Sequence, residues 1–191
     1  TYLPWSGYFG LMHYVDIFVL LDSVQFERRS WQQRNKIKTD LGEKLLTIPV
    51  IKKGKRDQLI NEVLIDKNNE FNNQHINLIK QHYSKAPFFK ENFEKIFYSD
   101  LYNKKFLHEI TITSILTIRD LLGIKTKIYK SSDLDIEGKK DNLLASICTS
   151  LNSNEYISPV GSKNYLDKST IFAKKNITIN YFKYNHPVYK Q

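Results

Sequence analysis

Cysteine is nearly missing from this chain of 191 residues, which holds one Cys, one Met and three Ala. The lone Cys148 excludes an internal disulfide and a cysteine-rich zinc site, and suits a reducing compartment, so a cytoplasmic protein is expected. No apolar run approaches the roughly 18 residues that span a bilayer, so no membrane span is expected. The longest run, residues 17–21 between Asp16 and Asp22, has the length of a buried strand. No signal-peptide pattern is present, and because the chain opens on Thr1 rather than Met, further sequence is expected ahead of it. Phosphate loops, dinucleotide fingerprints, zincin helices and nucleophile elbows are absent as motifs. His75 and His82 lie seven residues apart, roughly 10 Å along a helix, too far to chelate one ion together. No metal site is expected, and nothing in the sequence names a cofactor.

What is present is enough for a core. Hydrophobic residues make up 41% and aromatics 13%, and the length is that of one domain, so a single domain over residues 1–191 is expected. The formal charge is +9 and the pI near 9.4, which favours an anionic partner. Yet 24 of the 29 cations are Lys, beside 16 Asn and 21 Ile, the usage of a coding sequence poor in G and C. Most of the Lys are therefore read as solvated faces. The five Arg carry more information, and three of them, Arg28, Arg29 and Arg34, fall within seven residues.

Apolar spacing organises the rest. Residues 3–14 read as a Pro/Gly/aromatic loop leading into a short helix, residues 17–21 as a doubly covered strand, and 45–51 and 59–65 as further strands. Helices are expected at 71–82, 88–98 and 101–122, the last stopped by Gly123, then at 141–151 and 163–173. Strands at 125–129, 155–158 and 177–184 alternate with these helices. Alternation of this kind implies β-α-β units. The expected class is α/β, a mainly parallel sheet with flanking helices and a central helical block at about 70–122.

Two segments stand out chemically. Residues 22–35 follow directly on the buried strand, at the strand end where open α/β sheets bind ligands. There Arg28, Arg29 and Arg34 offer guanidinium forks for phosphate or carboxylate, Trp31 a stacking face, and Gln25, Gln33 and Asn35 amide partners. Residues 28, 31 and 34 would share one side of a tight helical turn and face a crevice lined by Tyr8 and the 156–165 turn. The second segment, Tyr156 through Ser158 to Asn164 and Tyr165, runs from strand through a Gly turn into a helix start, where free N–H groups favour an anion. The tail pairs His186, a proton carrier, with Tyr189. The bland alternatives are a solvated loop anchored by Trp31, an empty turn and an ordinary terminus.

Several of these strings, in order along the chain, resemble the WbqC-like family. They are Tyr2-Leu3-Pro4-Trp5-Ser6-Gly7-Tyr8-Phe9, Asp16-Ile17-Phe18-Val19-Leu20-Leu21-Asp22-Ser23-Val24-Gln25-Phe26 and Arg29-Ser30-Trp31-Gln32-Gln33-Arg34-Asn35. Leu46-Thr47-Ile48-Pro49-Val50, Tyr83-Ser84-Lys85-Ala86-Pro87-Phe88-Phe89 and His186-Pro187-Val188-Tyr189-Lys190-Gln191 continue the match. The resemblance implies a bacterial protein whose gene lies among those for O-antigen and other surface polysaccharides. It also implies a strand ahead of Thr1 and a tail beyond Gln191, so both termini are expected to be truncated relative to the family. The family commonly shows two acids where this chain has Asp22-Ser23, and a Gly where it has Pro159.

Two functions compete. The first is an enzyme of surface-polysaccharide biosynthesis, a transferase acting on a nucleotide-activated sugar or an acyl donor. The Arg cluster would clamp its phosphate or carboxylate, Trp5, Tyr8, Trp31 and Tyr189 would line the site, and Asp22 or His186 would move protons. The second is a non-catalytic polyanion-binding or pathway-assembly protein. Nucleic acid is the less expected partner, because only residues 28–38 put cations beside an aromatic, and they hold a single one.

Overall fold

The computed structural model describes residues 1–97 and 99–188. In chain order its elements are α1 (Ser6–Tyr14), β1 (Ile17–Leu20), β2 (Arg34–Thr39), β3 (Gly42–Thr47), α2 (Phe71–Tyr83), α3 (Phe89–Ile96) and α4 (Leu107–Leu121). These are followed by β4 (Lys127–Lys130), α5 (Asp141–Ser150), β5 (Glu155–Pro159), α6 (Lys163–Leu166), α7 (Ile171–Lys174) and β6 (Thr178–Phe182). The described residues group into two compact units, residues 1–5 with 22–125, and residues 6–21 with 126–188.

The first unit is built on the β2–β3 hairpin, antiparallel with Arg34 opposite Thr47 and Thr39 opposite Gly42. Asp40 and Leu41 turn the chain, and Gly42 takes a φ of 104° that a side chain would resist. One face of the hairpin sends Leu46 into a core with Ile48, Val63, Phe71, Ile79, Leu107 and Ile110. On α2 the residues at helical spacing, Phe71, His75 and Ile79, are the buried ones, so the stripe read from sequence is the one that packs. Tyr2 is wholly buried, and its phenol oxygen lies 3.0 Å from His75 Nδ1 and 2.8 Å from the Tyr102 hydroxyl. This chain of polar groups satisfies atoms that would otherwise be costly to bury.

The second unit holds two parallel ladders. In one, β1 pairs with β4 from Ile17 opposite Lys127 to Leu20 opposite Lys130. In the other, β5 pairs with β6 from Glu155 opposite Thr178 to Pro159 opposite Phe182. Ala145 and Cys148 of α5 pack with Leu166, Phe172 and Ile177. The Thr126 hydroxyl donates to the Met12 carbonyl at the end of α1, 2.6 Å away. Helix α1 also lies close to the segment after β6, for a Cβ at Gly10 would come within 2.8 Å of the Tyr184 ring.

The chain is therefore a mixed α/β protein with short parallel ladders, and the sheet expectation needs correcting. Among the described residues the strands make three separate two-stranded ladders, two parallel and one antiparallel, with no larger sheet joining them. The antiparallel pair escapes a pattern reading because β2, Arg-Asn-Lys-Ile-Lys-Thr, carries one large apolar residue. The strand expected at 59–65 is a 3-10 turn, Ile60–Glu62, flanked by single bridges from Leu59 to Gln25, Val50 to Ile65 and Leu64 to Phe106. The helix expected from 101 starts at Leu107. The Glu109 carboxylate accepts the N–H groups of Phe106 and Lys105, at 2.8 and 3.0 Å, and so defines a new N-terminus. Its stop before Gly123 is where it was expected.

Candidate functional site

The loop from Asp22 to Trp31 is held to the first unit residue by residue. Asp22 is 3% exposed and its carbonyl accepts the Asn61 N–H at 2.9 Å. Gln25 Nε2 donates to the Asp57 carboxylate at 3.3 Å. Phe26 plugs the core while its N–H donates to the Gln58 carbonyl at 2.9 Å. Glu27 N–H donates to Gln32 Oε1, and the Ser30 hydroxyl donates to the Glu27 carbonyl. Arg29 takes a left-handed φ of 59°.

These turns overturn the helical spacing expected for Arg28, Trp31 and Arg34. The left-handed Arg29 interrupts any helical turn, and Arg34 already belongs to β2. Arg28 instead donates through Nη2 to the carbonyls of Lys52 and Lys55, at 2.9 and 3.1 Å. Its guanidinium thus ties the 27–31 loop to the basic 52–56 loop. The result is a cationic edge contributed by Arg28, Arg29, Lys52, Lys53, Lys55 and Arg56, with Trp31 54% exposed on the first loop. Arg34 is half-buried and Trp5 exposed in the same unit.

The amides divide. Gln33 is 1% exposed and donates to the Ile48 carbonyl at 3.0 Å, and Asn35 donates to the carbonyls of Tyr2 and Leu3. Asn35 holds residues 2 and 3 to the hairpin, and Gln33 links the 29–33 turn to the segment after β3. In the folded chain both amides are engaged by backbone carbonyls of the protein itself.

Beyond the basic loop lies an open cleft of about 760 Å³ walled by residues 54–58, 61, 62, 64, 105 and 106. At its floor sits Gln58, 8% exposed, with neither amide atom hydrogen-bonded. Nothing in the sequence marks Gln58. It is a neutral residue at the end of what reads as a solvated basic loop, and only its enclosure makes it unusual.

The remaining candidates belong to the second unit. A groove of about 550 Å³ is lined by α1, β1, α5 and β5. The α5 stripe Leu144, Ile147, Cys148 and Leu151 forms one wall. Burial pushes the Cys148 thiol up to about 11, which disfavours its thiolate form. Tyr156 lines the same groove, and burial pushes its phenol up to about 12. Tyr8 packs edge-on against Phe9 and Phe18, and burial raises its phenol too. At the end of β5, the Ser158 and Ser162 hydroxyls bond each other and Ser162 donates to the Pro159 carbonyl, which closes that turn on itself. Asn164 and Tyr165 follow it, both exposed. His186 is exposed, its Nδ1 2.9 Å from the Pro187 carbonyl and its ring edge-on to Tyr184. Tyr189 lies outside the described residues.

Among the described residues no group of three or more His, Cys, Asp or Glu is placed to hold a metal ion. No helix among them is long and apolar enough to cross a membrane.

Fold and surface together define a mixed α/β protein that presents a basic, aromatic-edged face beside an open cleft. Over residues 1–191 the chain matches the WbqC-like protein family, and it belongs to that family. It is similar to the uncharacterized protein Rv1507c of Mycobacterium tuberculosis, with 32% identity over 196 residues covering 100% of this chain and 83% of the relative. No solved structure matches it.

Proposed function

We propose that this protein is a cytoplasmic enzyme of bacterial surface-polysaccharide biosynthesis, a transferase that takes a phosphate-bearing donor such as a nucleotide-activated sugar. The pathway is the one that the WbqC-like resemblance implies. The ligand class rests on one observation, the Arg28 side chain that ties two basic loops into a single cationic edge. Six cations lie on those loops, and of the nearby acids Asp57 is engaged by Gln25 while Glu62 accepts the Leu59 N–H at 2.8 Å. The Arg28 guanidinium is held in place with five further cations on the two loops it joins, an arrangement that an anion completes. Trp31 adds a flat face for a sugar or base. Asp22 and His186 remain the proposed proton carriers, each tested by its own substitution to Asn.

Thermal-shift measurement with UDP-, GDP- and dTDP-sugars and with acyl donors tests the reading. A ligand present at 100 times its Kd adds about 2.7 kcal/mol of stability, a shift of several degrees. Arg28→Ala is expected to reduce that shift. No shift with any donor at millimolar concentration overturns the proposal. Binding of generic DNA or RNA that persists at about 150 mM salt favours the polyanion-binding alternative.

A further inference from the structure

We propose that the cleft floored by Gln58 is the nucleoside diphosphate subsite of the donor, with the base edge on the Gln58 amide and the diphosphate on Lys55, Arg56 and Lys105. This deepens the phosphate-donor reading above and rests on it.

The starting observation is an unsatisfied side chain. Gln58 is more than nine-tenths buried, it lines the cleft, and both Oε1 and Nε2 lack a partner. A buried amide in this state costs free energy that native cores avoid, because its donor and acceptor have left water with no replacement. Each such orphan therefore needs a reason. Gln58 is fixed by its backbone, whose carbonyl takes the Phe26 N–H. The side chain is thus held beside the cleft by the same loop that carries Arg28. The carboxylates in the cleft do not satisfy it, since Asp57 takes Gln25 and Glu62 takes the Leu59 N–H.

The missing partner must present a donor next to an acceptor. Nucleobase edges do this, and Asn or Gln amides meet them with two hydrogen bonds. Because the two amide atoms are enclosed, binding requires the Gln58 side chain to rotate toward the opening, and the two new hydrogen bonds offset that rotation. The walls supply the rest of a nucleotide. Phe106 is half-buried beside the cleft and offers a ring to stack on. Lys105 Nζ stands 5.2 Å from that ring's centre, and Lys55 and Arg56 line the same cleft. A base on Phe106 and Gln58 shares the cleft with three cations able to take its phosphates.

Isothermal titration calorimetry on the 191-residue chain tests this with UDP, ADP, uridine and inorganic pyrophosphate. The expected result is that at least one nucleoside diphosphate binds tenfold or more tighter than pyrophosphate, the stronger of the two naming the base. Gln58→Leu is expected to erase that difference while leaving the melting temperature equal or higher, because it removes the orphaned amide. A purely structural Gln58 would instead lower the melting temperature and leave the ratio intact. Gln58→Glu, of the same shape but without the donor, serves if the Leu variant fails to fold, and is expected to weaken nucleoside binding at least tenfold. Lys55→Ala with Arg56→Ala is expected to weaken pyrophosphate and diphosphates alike. Equal binding of pyrophosphate and both diphosphates, or unchanged ratios in the Gln58 variants, overturns the base subsite and leaves the anion reading standing. No binding by any of the four overturns both.

Discussion

His75 shows how one residue ties pH to stability. It is 5% exposed on α2, its Nδ1 faces the Tyr2 hydroxyl, and burial lowers its pKa from 6.5 to about 4. The folded protein therefore takes up this proton only near pH 4, whereas the unfolded chain takes it up near 6.5. Between those values the unfolded state binds more protons at this site, so the His75 contribution to stability falls as pH drops through that window and is constant above it. The slope is at most about 1.4 kcal/mol per pH unit. Urea titrations at pH 7.5, 6.0 and 4.5 are expected to show this decline, and His75→Gln to flatten it at the cost of a lower plateau. At Gly10 the constraint is steric. Its φ is ordinary, so the glycine is required by space alone: a methyl group there would meet the Tyr184 ring at 2.8 Å. Gly10→Ala is expected to destabilise by about 1–3 kcal/mol, the usual cost of overpacking, and Gly10→Ala with Tyr184→Ala to recover part of it. Thermal melts of the two variants check this.

Among the elements, the legible ones are those whose apolar residues repeat at a fixed period. The α5 stripe of Leu144, Ile147, Cys148 and Leu151 was readable from spacing, and the structure turns it into the wall of the second unit's groove. Cys148 is 5% exposed with a thiol near pKa 11, so a thiol reagent at pH 7.5 is expected to label the native protein far more slowly than the urea-unfolded chain. Labelling at equal rates would show that α5 opens readily. Strands 155–158 and 177–184 were visible for the same reason, and the ladder β5–β6 that they form is parallel as expected. The hairpin strand β2 was not, because its stability comes from cross-strand pairing with β3 and from a single half-buried Ile37, and pairing leaves no trace in a one-strand pattern. The start of α4 lies six residues beyond the expected one because a carboxylate, not an apolar repeat, sets it.

For the whole molecule the charge of +9 is the main sequence-level quantity, and most of it is Lys. Spread cations bind polyanions weakly and lose that binding to salt. Fluorescence anisotropy with generic DNA is expected to show weak binding at about 50 mM salt that vanishes by about 200 mM, while binding of a nucleoside diphosphate changes far less over that range. Whereas the helix expected at 163–173 is broken into α6 and α7, the α/β class, the helices α2, α3 and α5 and the apolar burial of Cys148 were determined by sequence alone. They follow from period, composition and local clustering, which are properties of neighbours along the chain. The division of the strands into three ladders, the use of Arg28 as a tie between two loops, the structural employment of Gln33 and Asn35, and the enclosure of Gln58 were decided only by tertiary structure. Each depends on which residues distant in sequence meet. The value of a polar side chain is set by the partner that it finds or fails to find on burial, and a linear pattern does not contain that partner.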